Sequence, residues 1–265
     1  MLTIEAIGQG RPILYLHGWG FDSQIWHRQV DFFRSGYRNC VVDYNLRDLP
    51  PEITYDTLLD HLCTLILERW DDPGTPPYSV FASGFGAFLA YELIERGVRP
   101  ACLVLFGGPV RFTNDERYLS GLPPHQVSAM RRRLHQHPRA MLGDYYRLAF
   151  SGDGERAPQD LLAAPPTHAL EFLKLAFDTL ITHDFQELLP DLAVRSLIVQ
   201  GDSDRLTPVW QAQLLRRLIG DAELWLCRGG GHLPFVTRYA HLNRRISRFL
   251  DDAGGKAPPA VMPAR

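Results

Sequence analysis

The sequence predicts an α/β chain, a mostly parallel sheet with helices on both faces, interrupted by an inserted helical cap. Three observations carry this. Short apolar runs alternate with stretches of helical spacing. The runs are continuously apolar rather than alternating, the pattern of strands covered on both faces. From about Arg111 onward the alternation stops, with helical patterns, proline and glycine punctuation and no convincing strand. At 265 residues, 45% of them hydrophobic, the chain is long enough to bury a large core. The expected division is core over 1–110, helical cap over 111–189 and core again over 190–252. A disordered tail is expected over 253–265, where Ala, Gly and Pro leave little to bury.

In chain order, Ile13–Leu16 is the first strong strand, closed by the glycine turn His17-Gly18-Trp19-Gly20. Asn39–Asp43 is the next, and Thr57–Leu67 has the apolar spacing of a helix. Tyr78–Phe81 reads as a strand and Phe88–Ile94 as an amphipathic helix. Strands are expected at Ala101–Phe106, Ser196–Gln200 and Glu223–Leu226, with a closing helix at Leu242–Leu250. Within the cap, Val127, Met130 and Leu134 form an apolar stripe that leaves Arg131, Arg132 and Arg133 off it, and Arg139 and Arg147 follow on the next helix. Such a run is either a solvated helix face or a docking patch for an acidic partner.

A formal net charge of -2 offers no global reason to expect nucleic acid. Met1–Ile7 lacks a basic segment followed by a long apolar one, and no uncharged stretch reaches a membrane span without glycine. A soluble cytoplasmic protein, monomeric and without membrane contact, is expected. The cysteines Cys40, Cys63, Cys102 and Cys227 are scattered without CxxC spacing, so buried free thiols are expected, with no metal and no cofactor.

The chemistry centres on Ala82-Ser83-Gly84-Phe85-Gly86-Ala87, a strand-to-helix turn with the shape of a nucleophile elbow. In G-x-S-x-G the residues two before and two after the serine are small because strand and helix approach closely. Centred on Gly84, the flanks are Ala82 and Gly86; centred on Ser83, they are the bulky Phe81 and Phe85. Gly84 is therefore the elbow residue and serine is absent from the nucleophile position, with Ser83 as the fallback nucleophile. Two routes to attack remain: Ser83 reaches the base after a one-residue shift, or a water occupies the space over Gly84. The backbone N–H groups of Trp19 and Phe85 are the expected oxyanion hole. Asp204, in the turn Gly201–Pro208 after a strand, is the expected acid, and Asp202 a turn residue. His232, on the glycine loop Gly229-Gly230-Gly231, is the expected base. Elbow, acid and histidine stand in the chain order this chemistry uses.

Together these motifs resemble the α/β-hydrolase family, which implies the α/β-hydrolase fold. More narrowly the chain is similar to the esterases that cleave pimeloyl-[acyl-carrier protein] methyl ester in bacterial biotin synthesis. The likeness rests on Leu16-His17-Gly18-Trp19-Gly20 with Trp26, on Gly86–Ala90, on Gly201–Pro208 and on Gly231-His232-Leu233-Pro234-Phe235. It implies an acyl ester as substrate, small or bound to acyl carrier protein, and a cap whose arginines dock that acidic carrier. That raises the interest of Arg131, Arg132, Arg133, Arg139 and Arg147 without singling one out. Two departures stand out. Gly84 replaces the serine, and Asp43–Asp48 lacks the glycine-rich turn that follows the third strand. Loss of the serine leaves a catalytically inactive acyl-binding or carrier-binding homologue as the alternative reading.

Overall fold

The computed structural model describes residues 3–44, 53–70, 77–116, 118–119, 121–159 and 169–253. The strands are β1 (Thr3–Ile7), β2 (Arg11–Leu16), β3 (Tyr37–Asp43), β4 (Ser79–Ser83), β5 (Cys102–Phe106), β6 (Arg195–Gly201) and β7 (Ala222–Cys227). They form one seven-stranded sheet in the order β1-β3-β2-β4-β5-β6-β7. Only β1 is antiparallel, pairing Thr3 with Asp43 through Ile7 with Asn39. The interior strands β4 and β5 are buried at every residue, as their continuous apolar runs predict for a sheet covered on both faces.

Strand β1 escaped the sequence pattern because it is an edge strand. Ile4 and Ile7 are half-buried and Glu5 and Ala6 exposed, so it never forms a continuous apolar run. The helices α1 (His27–Phe33), α2 (Tyr55–Trp70) and α3 (Phe85–Glu95) belong to the first half of the sheet. Helix α3 begins three residues before its predicted start, since Phe85, Gly86 and Ala87 already complete its first turn. Between β5 and β6 run α4 (Pro124–Gln136), α5 (Pro138–Ala149) and α6 (Leu170–Thr182), and the described residues there add isolated bridges such as Arg111 with Asp184. As predicted, Val127 and Leu134 of α4 are buried. Helices α7 (Val209–Leu218), α8 (Pro234–Thr237) and α9 (Tyr239–Ala253) complete the described chain. Helix α9 thus includes Ala253, and the rest of the predicted tail, 254–265, lies outside the described residues, as do Asn45–Asp48 of the departing loop. Cys40, Cys102 and Cys227 are buried free thiols, whereas Cys63 is only half-buried.

Close approach at the elbow shows at Gly86, where a β-carbon would lie 2.3 Å from the carbonyl oxygen of Leu16. Because that neighbour is backbone and cannot swing aside, Gly86→Ala should destabilise the fold by about 1–3 kcal/mol or more. Urea unfolding of the two proteins measures it; equal midpoints would show that β2 and α3 are not held this close.

The tyrosines of the core make stability pH-dependent. Tyr15 and Tyr44 are fully buried, and burial pushes both phenols well above the ordinary value of 10.0. Tyr15 donates to Asn39 Oδ1 at 2.6 Å and Tyr44 donates to the carbonyl of His17. Above pH 10 the unfolded chain releases these protons and the folded chain does not. Their contribution to stability is therefore complete below pH 10 and lost as pH rises further. Loss of up to about 1.4 kcal/mol per pH unit per tyrosine is expected, read from urea midpoints between pH 8 and 11.

Candidate active site

In the sheet, β3 and β4 lie on opposite sides of β2, so the chain reverses its direction of travel there. Such a switch point leaves a crevice outside the C-terminal strand ends. The turn after β2 (His17–Gly20), the turn after β4 (Gly84) and the loops after β6 and β7 all open into it.

At the elbow, Gly84 has φ 52° and ψ −113° and stands at the N-terminal end of α3. Its N–H donates to the carbonyl of Phe106 at 3.1 Å, and its own carbonyl accepts from Ala87 N at 3.0 Å, which holds the turn. A β-carbon there would lie 3.6 Å from His232 Nε2 and 3.7 Å from Gly18 Cα, both ordinary contacts. The position therefore points at the imidazole and has room for a side chain. Ser83, by contrast, is the last residue of β4 and 1% exposed. Its hydroxyl has no hydrogen-bond partner among the described residues, and it does not join the His232 cluster.

Nδ1 of His232 lies 2.9 Å from Asp204 Oδ2. A carboxylate only accepts, so the proton of the neutral ring sits on Nδ1 and the lone pair on Nε2, facing Gly84. Asp204 is held by more than this bond. Its Oδ1 accepts from Leu206 N at 2.8 Å and Thr207 N at 3.0 Å. Its Oδ2 accepts from Gln200 Nε2 at 2.9 Å and Thr207 Oγ1 at 2.6 Å. Burial by itself raises the carboxyl of Asp204, but the His232 charge and hydrogen bond, together with hydrogen bonds from Thr207, outweigh it and hold the group below its ordinary value. Asp202 is exposed and ties the two loops together, accepting from Gly229 N at 2.7 Å.

Helices α5 and α6 grip the turn after β2. Trp19 Nε1 donates to the carbonyl of Leu173 at 2.8 Å, Tyr145 packs edge-on against Trp19 at 4.8 Å, and the Tyr146 hydroxyl donates to the carbonyl of Gly20. His232 N donates to Ala149 O at 2.8 Å, while buried Asp153 accepts from Gly231 N at 3.3 Å and from Thr237 Oγ1 at 2.7 Å. Beneath these helices lies a cavity of about 30 Å³ with Trp19, Gly84, Phe85, Thr207 and His232 around its polar end. Phe112, Met130, Phe177 and Leu180 line its apolar side. Among the described residues, no backbone hydrogen bond of a turn or loop takes up the N–H of Trp19 or Phe85.

The five predicted arginines are all exposed. Arg131 pairs with Asp178 at 2.9 Å, Arg133 with Asp144 at 2.5 Å, and Arg147 also with Asp144. Arg132 and Arg139 form no ion pair among the described residues. Sequence reasoning missed Thr207 and Gln200 as partners of Asp204, although both stand within or beside the quoted motif after β6. It also missed Asp153 and Tyr146, which carry no local signal because their partners are over 75 positions away in the chain. No cluster of His, Cys, Asp and Glu able to hold a metal occurs among the described residues, and no described helix is long and apolar enough to cross a membrane.

A family model described as "Alpha/beta hydrolase family" matches residues 13–241. The pimeloyl-[acyl-carrier protein] methyl ester esterase of Legionella pneumophila (strain Corby) is 22% identical over 237 residues, covering 89% of this chain and 93% of the relative. A strigolactone esterase of Arabidopsis thaliana is 25% identical over 260 residues, covering 94% and 96%. Among solved structures, an esterase from Exiguobacterium antarcticum superposes with a TM-score of 0.85 at 21% identity, covering 94% of this chain and 95% of that one.

Proposed function

Because the chain belongs to the alpha/beta hydrolase family, we propose that its cavity takes the acyl end of a carboxylic ester and holds it without forming an acyl-enzyme. The observation that carries this is Gly84: the elbow is built and aimed at His232, and it bears no attacking group. In this reading Trp19 N–H and Phe85 N–H receive the ester carbonyl, the N-terminal end of α3 adds its dipole, and the apolar side of the cavity covers the first carbons of the chain. The acyl donor is of the pimeloyl-[acyl-carrier protein] type, as the name of the Legionella relative suggests for its own substrate. Met130 and Phe177 line the same cavity and give the alkyl chain an apolar surface.

A second reading has one observation in its favour. His232 Nε2 faces the gap with Asp204 behind it, the arrangement of a general base for a water standing over Gly84. Methanol release from a pimeloyl-type methyl ester by wild type, His232→Ala and Ser83→Ala separates the readings. The acyl-holding reading expects the same background rate from all three. A wild-type rate lost in His232→Ala alone supports the water route, and a rate lost in Ser83→Ala revives attack by that hydroxyl.

Carrier docking falls first to Arg132 and Arg139, whose charges no cap carboxylate neutralises among the described residues. Reversing both, Arg132→Glu with Arg139→Glu, should weaken binding of an acylated carrier protein by roughly tenfold or more, and more strongly at low salt. Reversal of Arg131, already paired with Asp178, should cost less. Surface plasmon resonance measures both; indifference to all of these charges would remove the cap from the docking surface.

A further inference from the structure

We infer that the ligand this site favours is a free carboxylate on an apolar chain, the product of an ester hydrolase rather than its substrate. The inference rests on the acyl-holding reading above and names the group that occupies it. An esterase of this architecture must provide for two oxygens at the elbow, the ester carbonyl and its own seryl hydroxyl. Here the second is missing, and a planar carboxylate supplies both from the ligand side. One oxygen accepts from the N–H groups of Trp19 and Phe85. The other takes the space over Gly84, where a side chain would begin 3.6 Å from His232 Nε2, and accepts a hydrogen bond from that nitrogen.

Two independent features point to this ligand. The first is the start of α3, an eleven-residue helix whose leading N–H groups and dipole favour an anion. The second is His232 itself, 4% exposed and aimed into the cavity, with the hydrogen bonds of its ring all on Nδ1 and none on Nε2 among the described residues. To donate from Nε2 while Nδ1 faces Asp204 the ring must carry both protons, so binding favours the imidazolium. The groups facing the ring are Asp204 and Thr207 from the turn after β6, with Tyr145 of α5 also lining the cavity. Asp204 stabilises the imidazolium, and no Lys or Arg among the described residues lines the cavity, so the charge of the ligand is balanced through His232. The remaining lining is apolar, which suits an alkyl chain and not a second charge. The reaction class that supplies such a ligand is hydrolysis of an ester or thioester.

Calorimetric titration with sodium hexanoate and with methyl hexanoate tests this, at pH 6 and pH 8 and in buffers of different ionisation enthalpy. Wild type should bind the acid roughly tenfold or more tighter than the ester at pH 6, with a smaller preference and a larger proton uptake at pH 8. His232→Gln, which keeps much of the ring's volume, should abolish the preference, and Gly84→Ser should weaken the acid by filling the place of its second oxygen. Equal binding of acid and ester, or a preference that survives His232→Gln, overturns the inference while leaving the acyl site standing. Binding of neither compound overturns both.

Discussion

Gly84→Ser should turn the chain into an ester hydrolase, with methyl or p-nitrophenyl ester cleavage rising by on the order of 10⁴–10⁶-fold over wild type. The argument is geometric. A β-carbon at position 84 begins 3.6 Å from His232 Nε2 without touching anything closer, so one further bond brings a hydroxyl within hydrogen-bond reach of the base. Asp204 already orients the ring from the other side, and Trp19 and Phe85 already line the cavity. Only the attacking atom is added. The variant should lose some stability, since a serine at φ 52° sits where side chains are strained by about 1–3 kcal/mol. Its new activity should vanish on combining it with His232→Ala. A folded Gly84→Ser protein with no hydrolysis above wild type would show that the elbow, base and N–H groups do not form one working geometry.

Asp204→Ala should cost about 3–5 kcal/mol of stability, among the largest effects of any single change here. Asp204 is 6% exposed and accepts hydrogen bonds from Gln200, Leu206, Thr207 and His232. Removal strands several buried donors at once, each with its own desolvation penalty. Asp204→Asn keeps the shape and some of the acceptors, and should cost less. The same residue sets an acid limit. Its carboxyl is held below the ordinary value of 3.8 in the folded chain, so its contribution is complete above about that pH and lost as pH falls through the lower folded value. The gap between urea midpoints of wild type and Asp204→Asn, followed from pH 7 to pH 3, should narrow at the acid end. A gap that stays constant over that range would mean the charge of Asp204 is not what those bonds stabilise.

Much of the fold was legible because its signals are local. Continuous apolar runs such as Leu103–Phe106 report burial on both faces without reference to any neighbour. The edge strand β1 was not legible, because its one-sided burial comes from pairing with β3. At the site, the small flanks Ala82 and Gly86 announced a close approach that the structure shows between Gly86 and Leu16. Tyr146 and Asp153 announced nothing, since their partners Gly20 and Gly231 reach them only through the tertiary fold.

What the sequence by itself determined is the position of the strands β2 to β7 along the chain, the glycine at the bend and the presence of an acid and a histidine downstream, because each depends on a few consecutive residues and their backbone demands. Only the tertiary structure decided that Gly84 points at the imidazole while Ser83 is buried apart from it, and which arginines of α4 and α5 pair with neighbouring carboxylates. Those are questions of distance between segments remote in the chain, and distance is settled by packing rather than by local preference.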